Sequence, residues 1–263
     1  MAGIKLKSAD EIQLMRLAGA VTGKVLDEVA AFIKPGLTTR QIDNFAAERI
    51  KSYEGKSAFL GYRNACGKYP CYTCLSVNDE VVHGMASERE LRFGDIVSVD
   101  VGVLYKGFIG DTARTVVVGG CSVAAQRLLD VTEQSLYLGI AQARPDNRVV
   151  DISIAVQQYV EQNGFSVVRE FVGHGVGRTM HEEPQVPNFD EGKKNSPRLK
   201  PGMTIAIEPM VNAGRPEVKI LKDGWTVVTQ DGSLSAHFEH TVLITDGEPE
   251  ILTWVKPFAS GLA

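Results

Sequence analysis

The sequence predicts a mixed α+β fold in which two related halves fold together around one sheet. Helix-patterned segments give way to β-rich text twice along the 263 residues. The run Leu91-Arg-Phe-Gly-Asp-Ile-Val-Ser-Val-Asp100 is echoed by Leu199-Lys-Pro-Gly-Met-Thr-Ile-Ala-Ile-Glu208, and both read Leu-basic-x-Gly-x-x-aliphatic-small-aliphatic-acid. The upstream text repeats too, since Lys34-Pro35 leads to Ile42 as Arg144-Pro145 leads to Ile152. Downstream, Asp111-Thr112 and Glu239-His240-Thr241 each lie in β-rich text. The period is far too long for a solenoid. A single domain over 1–263 is expected, with a pseudo-repeat of roughly 9–120 and 121–250.

The first helix starts at Ser8, where Ser8-Ala9-Asp10-Glu11 fits a reciprocal capping box. Leu14, Ala18, Val21, Val25, Val29 and Phe32 recur at helical spacing before Pro35-Gly36 stops the run. A second helix is expected near 38–53, and 57–74 reads as irregular. Val97 to Val118 is rich in β-branched residues, with Lys106-Gly107 as a turn. Two helices follow near 122–143 and 148–163, the second closed by Asn163-Gly164, and 166–253 reads as strands and loops.

Composition narrows the class. Hydrophobic residues are 44% and charged residues 23%, ordinary for a globular protein. A net charge of −4 without a basic stripe argues against nucleic acid as substrate. No apolar run reaches the ~18 residues of a membrane span. Charges interrupt the N-terminal text, so it does not read as a secretory signal. Cys66, Cys71, Cys74 and Cys121 are too few for a disulfide scaffold and point to a reducing, cytoplasmic setting. Cys71-Tyr-Thr-Cys74 lacks the second pair of a zinc site, so both cysteines read as packing near a pocket.

The acids carry the chemistry. Strand alternation puts Val97, Val99, Val101 and Val103 on one face, and Ser98, Asp100 and Gly102 on the other. In the echo, Ile205 and Ile207 oppose Thr204, Ala206 and Glu208. If Lys106-Gly107 is a two-residue hairpin turn, Asp111 falls opposite Gly102, a diagonal about 7–8 Å from Asp100 on the same face. Gly102 then leaves room for a bridging ligand. Carboxylates so close must be protonated or neutralised by cations. Carboxylates with one imidazole suit Mn, Fe, Co or Zn. Two divalent ions would balance four acids and provide a bound hydroxide as nucleophile.

Among the histidines, His174 is the candidate ligand, because flanking glycines in Gly173-His174-Gly175-Val176-Gly177 permit close backbone approach. His181-Glu182-Glu183-Pro184 is not a zincin helix: the second histidine is missing and Pro184 would break it. His83 lies between Glu80-Val81-Val82 and Gly84. His237 and His240 read as structural or surface residues.

Five motifs in order give a specific resemblance: GDIVSVDVG, GFIGDTART, VGHGVGRTMHEEPQVPN, LKPGMTIAIEPMVNAG and LSAHFEHTVLIT, with SVNDEVVHG also matching. Over nearly its whole length the sequence resembles the short bacterial, type I methionine aminopeptidases. The resemblance implies a pita-bread fold, with pseudo-symmetric αβ halves around a curved antiparallel sheet. It implies one metal held by Asp100, Asp111 and Glu239 and another by Asp111, His174, Glu208 and Glu239. The implied reaction is removal of the N-terminal methionine from nascent proteins and peptides, with a small second residue preferred. Glu208 would shuttle a proton, His181 would stabilise the oxyanion, and His83 would contact the scissile amide. Tyr62, Tyr69, Cys74 and Trp225 match the family's side-chain pocket. Phe59 and Met180 stand where a cysteine and a phenylalanine are familiar, and Arg63 to Lys68 is longer than usual, which bears on pocket shape and selectivity. A monomer is the default, with ribosome docking compatible.

Three rivals are weaker. A proline-directed relative would carry a large extra N-terminal domain. A non-catalytic binding module would lose metal ligands. A phosphohydrolase would want a cation beside the acids, and Arg114 is not on their face.

Overall fold

Ser8 starts the first helix as the capping box requires: its hydroxyl accepts from Glu11 N at 3.3 Å, and the Glu11 carboxylate accepts from Ser8 N at 3.0 Å. The helix, α1 (Ala9–Phe32), stops before Pro35. Thr38 caps α2 (Thr39–Ser52) with the same reciprocity through Gln41. In the second half, α3 (Val123–Ala141) starts at Ser122 and α4 (Val149–Gln162) ends at Asn163. The computed structural model describes residues 3–192 and 195–254.

Each helix pair covers the aliphatic face of its own half. Met15, Val25, Val29 and Ile42 pack with Val97, Val99, Val101 and Val103. Leu128, Ile152 and Val156 pack with Ile205 and Ile207. Each fully buried aliphatic side chain contributes about 1.5–3 kcal/mol by leaving water, so this burial fixes which sheet face meets the helices. The other face is left to the acids.

The main sheet is antiparallel throughout. Its order is Lys56–Ser57, Ile96–Tyr105, Phe108–Val117, Glu239–Leu243, Thr204–Ile207, Gly173–Gly175 and Glu182–Val186; Cys74–Val77 also pairs with Ile96–Tyr105, and Glu250–Ile251 with Glu239–Leu243. The two halves therefore join where Phe108–Val117 meets Glu239–Leu243. The hairpin register is the one the sequence predicts: Tyr105 pairs with Phe108 and Gly102 with Asp111. Lys106 (φ 48°) and Gly107 (φ 84°) are both left-handed, which matches the twist of the flanking strands. The stretch expected to be irregular holds short pieces of strand at Lys56–Ser57 and in the hairpin Arg63–Asn64 with Gly67–Lys68. Among the described residues, no helix is long and apolar enough to cross a membrane.

Candidate metal centre and adjoining pocket

Strand register brings the acids together. Asp100 pairs with Ala113, and Ala113 pairs with Glu239 on its other side, so Asp100 and Glu239 occupy one row across three strands. Asp111 lies one pleat away opposite Gly102, on the same face. His174 pairs with Ala206, which brings its imidazole beside Glu208 just beyond the end of Thr204–Ile207. The flanking glycines are needed for this approach: a Cβ on Gly173 would lie 2.4 Å from Ala206 O, and one on Gly175 would lie 2.4 Å from Glu183 O.

Asp100, Asp111, His174, Glu208 and Glu239 line one cavity of 320 Å³. The ligand atoms of Asp111, His174 and Glu239 lie within 4.8 Å of one another. His174 Nε2 is 3.7 Å from Asp111 Oδ2 and 3.5 Å from Glu208 Oε1.

The electrostatics fit a site that holds a cation. Burial pushes the Asp100 carboxyl up to about 7 and that of Glu208 to about 8. Burial, then the neighbouring acids, pushes Asp111 and Glu239 well above the usual carboxylate range. Burial, then the neighbouring His181, pushes the His174 imidazole down to about 3, so it is neutral. Its Nδ1 donates to Gly175 O at 2.9 Å, which leaves the Nε2 lone pair facing the carboxylates. Lone pair against an ionised carboxylate is unfavourable unless a proton or a cation lies between them. Asp100 Oδ1, Asp111 Oδ1 and Glu239 Oε1 are buried without a hydrogen-bond partner, a costly state that a shared cation removes. Oxygen donors with one neutral imidazole, oriented by a backbone carbonyl, fit a divalent transition metal.

Beside the acids lies an apolar wall. Phe59, Tyr62, Tyr69, Cys74, Met180 and Trp225 all line the same cavity, as do His83 and His181. Tyr69 meets Trp225 edge-on at 5.1 Å and donates its hydroxyl to Gly84 O at 2.9 Å. Tyr62 Oη is 2.8 Å from His181 Nδ1. His83 has φ 59°, a strained conformation for a non-glycine residue, and its ring meets Phe171 edge-on. Burial, then the nearby His237 and His181, lowers the His83 pKa to about 4. Cys71 and Cys74 are buried and unpaired; Cys74 lines the cavity, and Cys71 packs in the hydrophobic cluster of the first half.

Two expectations need correction. Gly102 does not leave room for a bridging ligand: a Cβ there would lie 2.7 Å from the Phe59 ring, so Phe59 already fills that space. The glycine serves the pocket wall. His237 is not a surface residue. It is 2% exposed, lines the cavity, and places Nε2 3.6 Å from Glu208 Oε2. His237 and Glu239 are two residues apart and both line the cavity, although Phe238 separates them into strands of different sheets. His240, by contrast, points away to Thr253 Oγ1 at 2.8 Å. Phe171 and Met210 also line the cavity, and no sequence pattern marked them.

The model of metallopeptidase family M24 matches residues 13–246. The chain belongs to that family, among its methionine aminopeptidases. It is 50% identical over 253 residues to a methionine aminopeptidase of Clostridium perfringens, covering 96% of this chain and all of that one. Methionine aminopeptidase 1 of Bacillus subtilis is 48% identical, covering 95% of this chain and 98% of the relative. The crystal structure of the Rickettsia prowazekii methionine aminopeptidase superposes with a TM-score of 0.92 at 38% identity, covering 96% of this chain and 100% of that one. A prolidase from Pyrococcus furiosus matches with a TM-score of 0.76 at 22% identity, covering 96% of this chain and 66% of its own, and speaks to the fold alone. The fold is the pita-bread fold of this family. In the phosphohydrolase reading Arg114 would be free to hold phosphate, but it is paired with Asp27 at 2.8 Å.

Proposed function

We propose that this chain removes the N-terminal methionine from peptides and nascent proteins, with a preference for a small second residue. The observation that carries the reading is one cavity in which five metal-type ligands adjoin an apolar aromatic wall. A thioether side chain is flexible, apolar and favourable against aromatic edges, which suits Phe59, Tyr69, Met180 and Trp225.

Asp100, Asp111 and Glu239 would hold one divalent ion, and Asp111, His174, Glu208 and Glu239 a second; Co, Mn, Fe or Zn all suit the donors. When bound, such ions polarise a carbonyl and acidify water. Glu208 would carry a proton to the leaving amine, since its carboxylate lines the cavity beside the other ligands. His181, held by Tyr62, faces the developing oxyanion, and His83 contacts the scissile amide. The apolar wall orients the methionine and excludes water.

The catalytic unit spans 1–263 as one domain. Unpaired cysteines and a nascent-chain substrate suit a cytoplasmic monomer that meets its substrate at or near the ribosome. The test is cleavage of Met-Ala-Ser, Leu-Ala-Ser and Met-Lys-Ser peptides with and without added Mn²⁺ after chelation. Rapid, metal-restored cleavage of the first peptide alone is expected. Comparable rates on all three, or undiminished activity after stripping, overturn the reading.

A further inference from the structure

Glu208 is bracketed by two imidazoles. His174 Nε2 stands 3.5 Å from Oε1, and His237 Nε2 stands 3.6 Å from Oε2. The two histidines are not equivalent. The atoms of His174, Asp111 and Glu239 lie within 4.8 Å of one another, and His237 is outside that cluster. His237 Nε2 is buried and has no hydrogen-bond partner, although buried polar nitrogens are nearly always satisfied.

The His237 backbone is pinned. Its N donates to Thr115 Oγ1 at 2.8 Å, the Thr115 hydroxyl donates to its carbonyl at 3.0 Å, and it pairs with Met210. Between Met210 and Glu208 there is only Pro209, so the strand that fixes His237 also fixes the base of Glu208. The Glu208 carbonyl accepts from Asn188 Nδ2 at 3.0 Å. With both backbones held, the pair can close only through side-chain rotation of Glu208 or His237. A separation of 3.6 Å is longer than a hydrogen bond, and catalytic hydrogen bonds in unliganded sites are commonly long until the site fills.

We propose that His237 is a positioning residue for Glu208: its Nε2–H donates to Oε2 and holds the carboxylate with Oε1 turned toward His174. This rests on the reading of Glu208 as metal ligand and proton carrier. Such a bond fixes one oxygen and leaves the other for the centre, the arrangement by which outer partners orient ligating carboxylates.

The test compares His237→Leu, which removes the donor, with His237→Gln, whose amide restores one; His237→Met replaces the leucine variant should that not fold. Mn²⁺ binding is read by calorimetry, and kcat and KM on Met-Ala-Ser under saturating Mn²⁺. The leucine variant should bind as many ions as wild type with affinity lowered about 10- to 100-fold, the usual effect of losing an outer partner. Its kcat should fall comparably while KM stays within about threefold, and the glutamine variant should recover most of both. Affinity and kcat both near wild type in the leucine variant overturn the proposal, as does a glutamine variant no better than leucine. One ion fewer in both variants also overturns it, by making His237 a ligand. Wild-type protein that binds Mn²⁺ but does not cut the peptide would fail the aminopeptidase reading instead, while the binding comparison still decides the role of His237.

Discussion

Lys7 Nζ lies 2.8 Å from Glu182 Oε2, and both side chains are nearly buried, at 6% and 5% exposure. The pair ties the N-terminal segment to the turn that carries His181. Glu182 Oε1 also accepts from Arg178 N at 3.1 Å, so one carboxylate organises the whole turn. A Cβ on Gly177 would lie 2.8 Å from both Lys7 Cε and Glu182 Oε1, so the glycine lets the ion pair pack closely against the backbone of the turn.

Removing the cation strands a buried carboxylate. Lys7→Met should destabilise the protein by about 3 kcal/mol, the lower end for a broken buried pair because Glu182 keeps its backbone donors. The double variant Lys7→Met with Glu182→Gln should recover much of that loss in urea unfolding. A double variant less stable than the single one would show that the ion pair itself is not what matters.

Asp111 should be required for the metal centre but not for the fold. Its Oδ1 is buried without a partner and its neighbours are acids. Asp111→Asn should cut turnover by orders of magnitude and weaken Mn²⁺ binding, while the metal-free variant melts no lower than wild type because one repelling acid is gone. Near-normal turnover in the presence of metal would refute its bridging role.

The metal-free protein should lose stability as pH rises from about 6.5 to about 8.5. Burial raises Asp100 to about 7 and Glu208 to about 8, far above the ~4 of an unfolded chain. Through this window the folded state holds protons that the unfolded state has already released, so the slope of stability against pH is negative. The contribution is complete below about 4 and vanishes as pH passes through the folded values. His83 and His174, lowered to about 4 and about 3, work in the opposite sense only below about 6.5, where an unfolded histidine gains a proton. Saturating Mn²⁺ should abolish or invert the slope, because metal binding displaces those protons. Melting curves at the two pH values decide the matter; a metal-free midpoint that rises with pH would contradict buried, unpaired acids.

Gly102→Ala should injure substrate binding rather than the metal centre. The new methyl would meet the Phe59 ring at 2.7 Å and the Ala58 Cβ at 3.2 Å. Displacing Phe59 should raise KM for Met-Ala-Ser about tenfold, roughly 1.4 kcal/mol, with Mn²⁺ affinity unchanged. Adding Phe59→Ala should relieve the collision and lower KM again. Weakened Mn²⁺ binding with normal KM would instead place Gly102 at the metal.

Local patterning fixed much of this protein before any tertiary contact was known. The capping box at Ser8, the stop at Pro35 and the helical spacing between them follow from interactions within a few residues. So does the register of the Lys106-Gly107 hairpin, because a two-residue left-handed turn leaves one pairing open, and that pairing puts Asp100 and Asp111 on one face. The echo of Leu91–Asp100 in Leu199–Glu208 likewise anticipated two halves facing one another.

The tertiary structure decided what alternation could not. Period two gives a side chain's face but not what lies across the cavity from it, so it left open that Phe59 fills the space before Gly102 and that His237 faces Glu208. Lys7 and Glu182 are separated by most of the chain, and neither carries a local signal of the other. These contacts arise where separate segments are brought together by packing of the two cores, and packing depends on the volumes of all the side chains at once rather than on the spacing of a few.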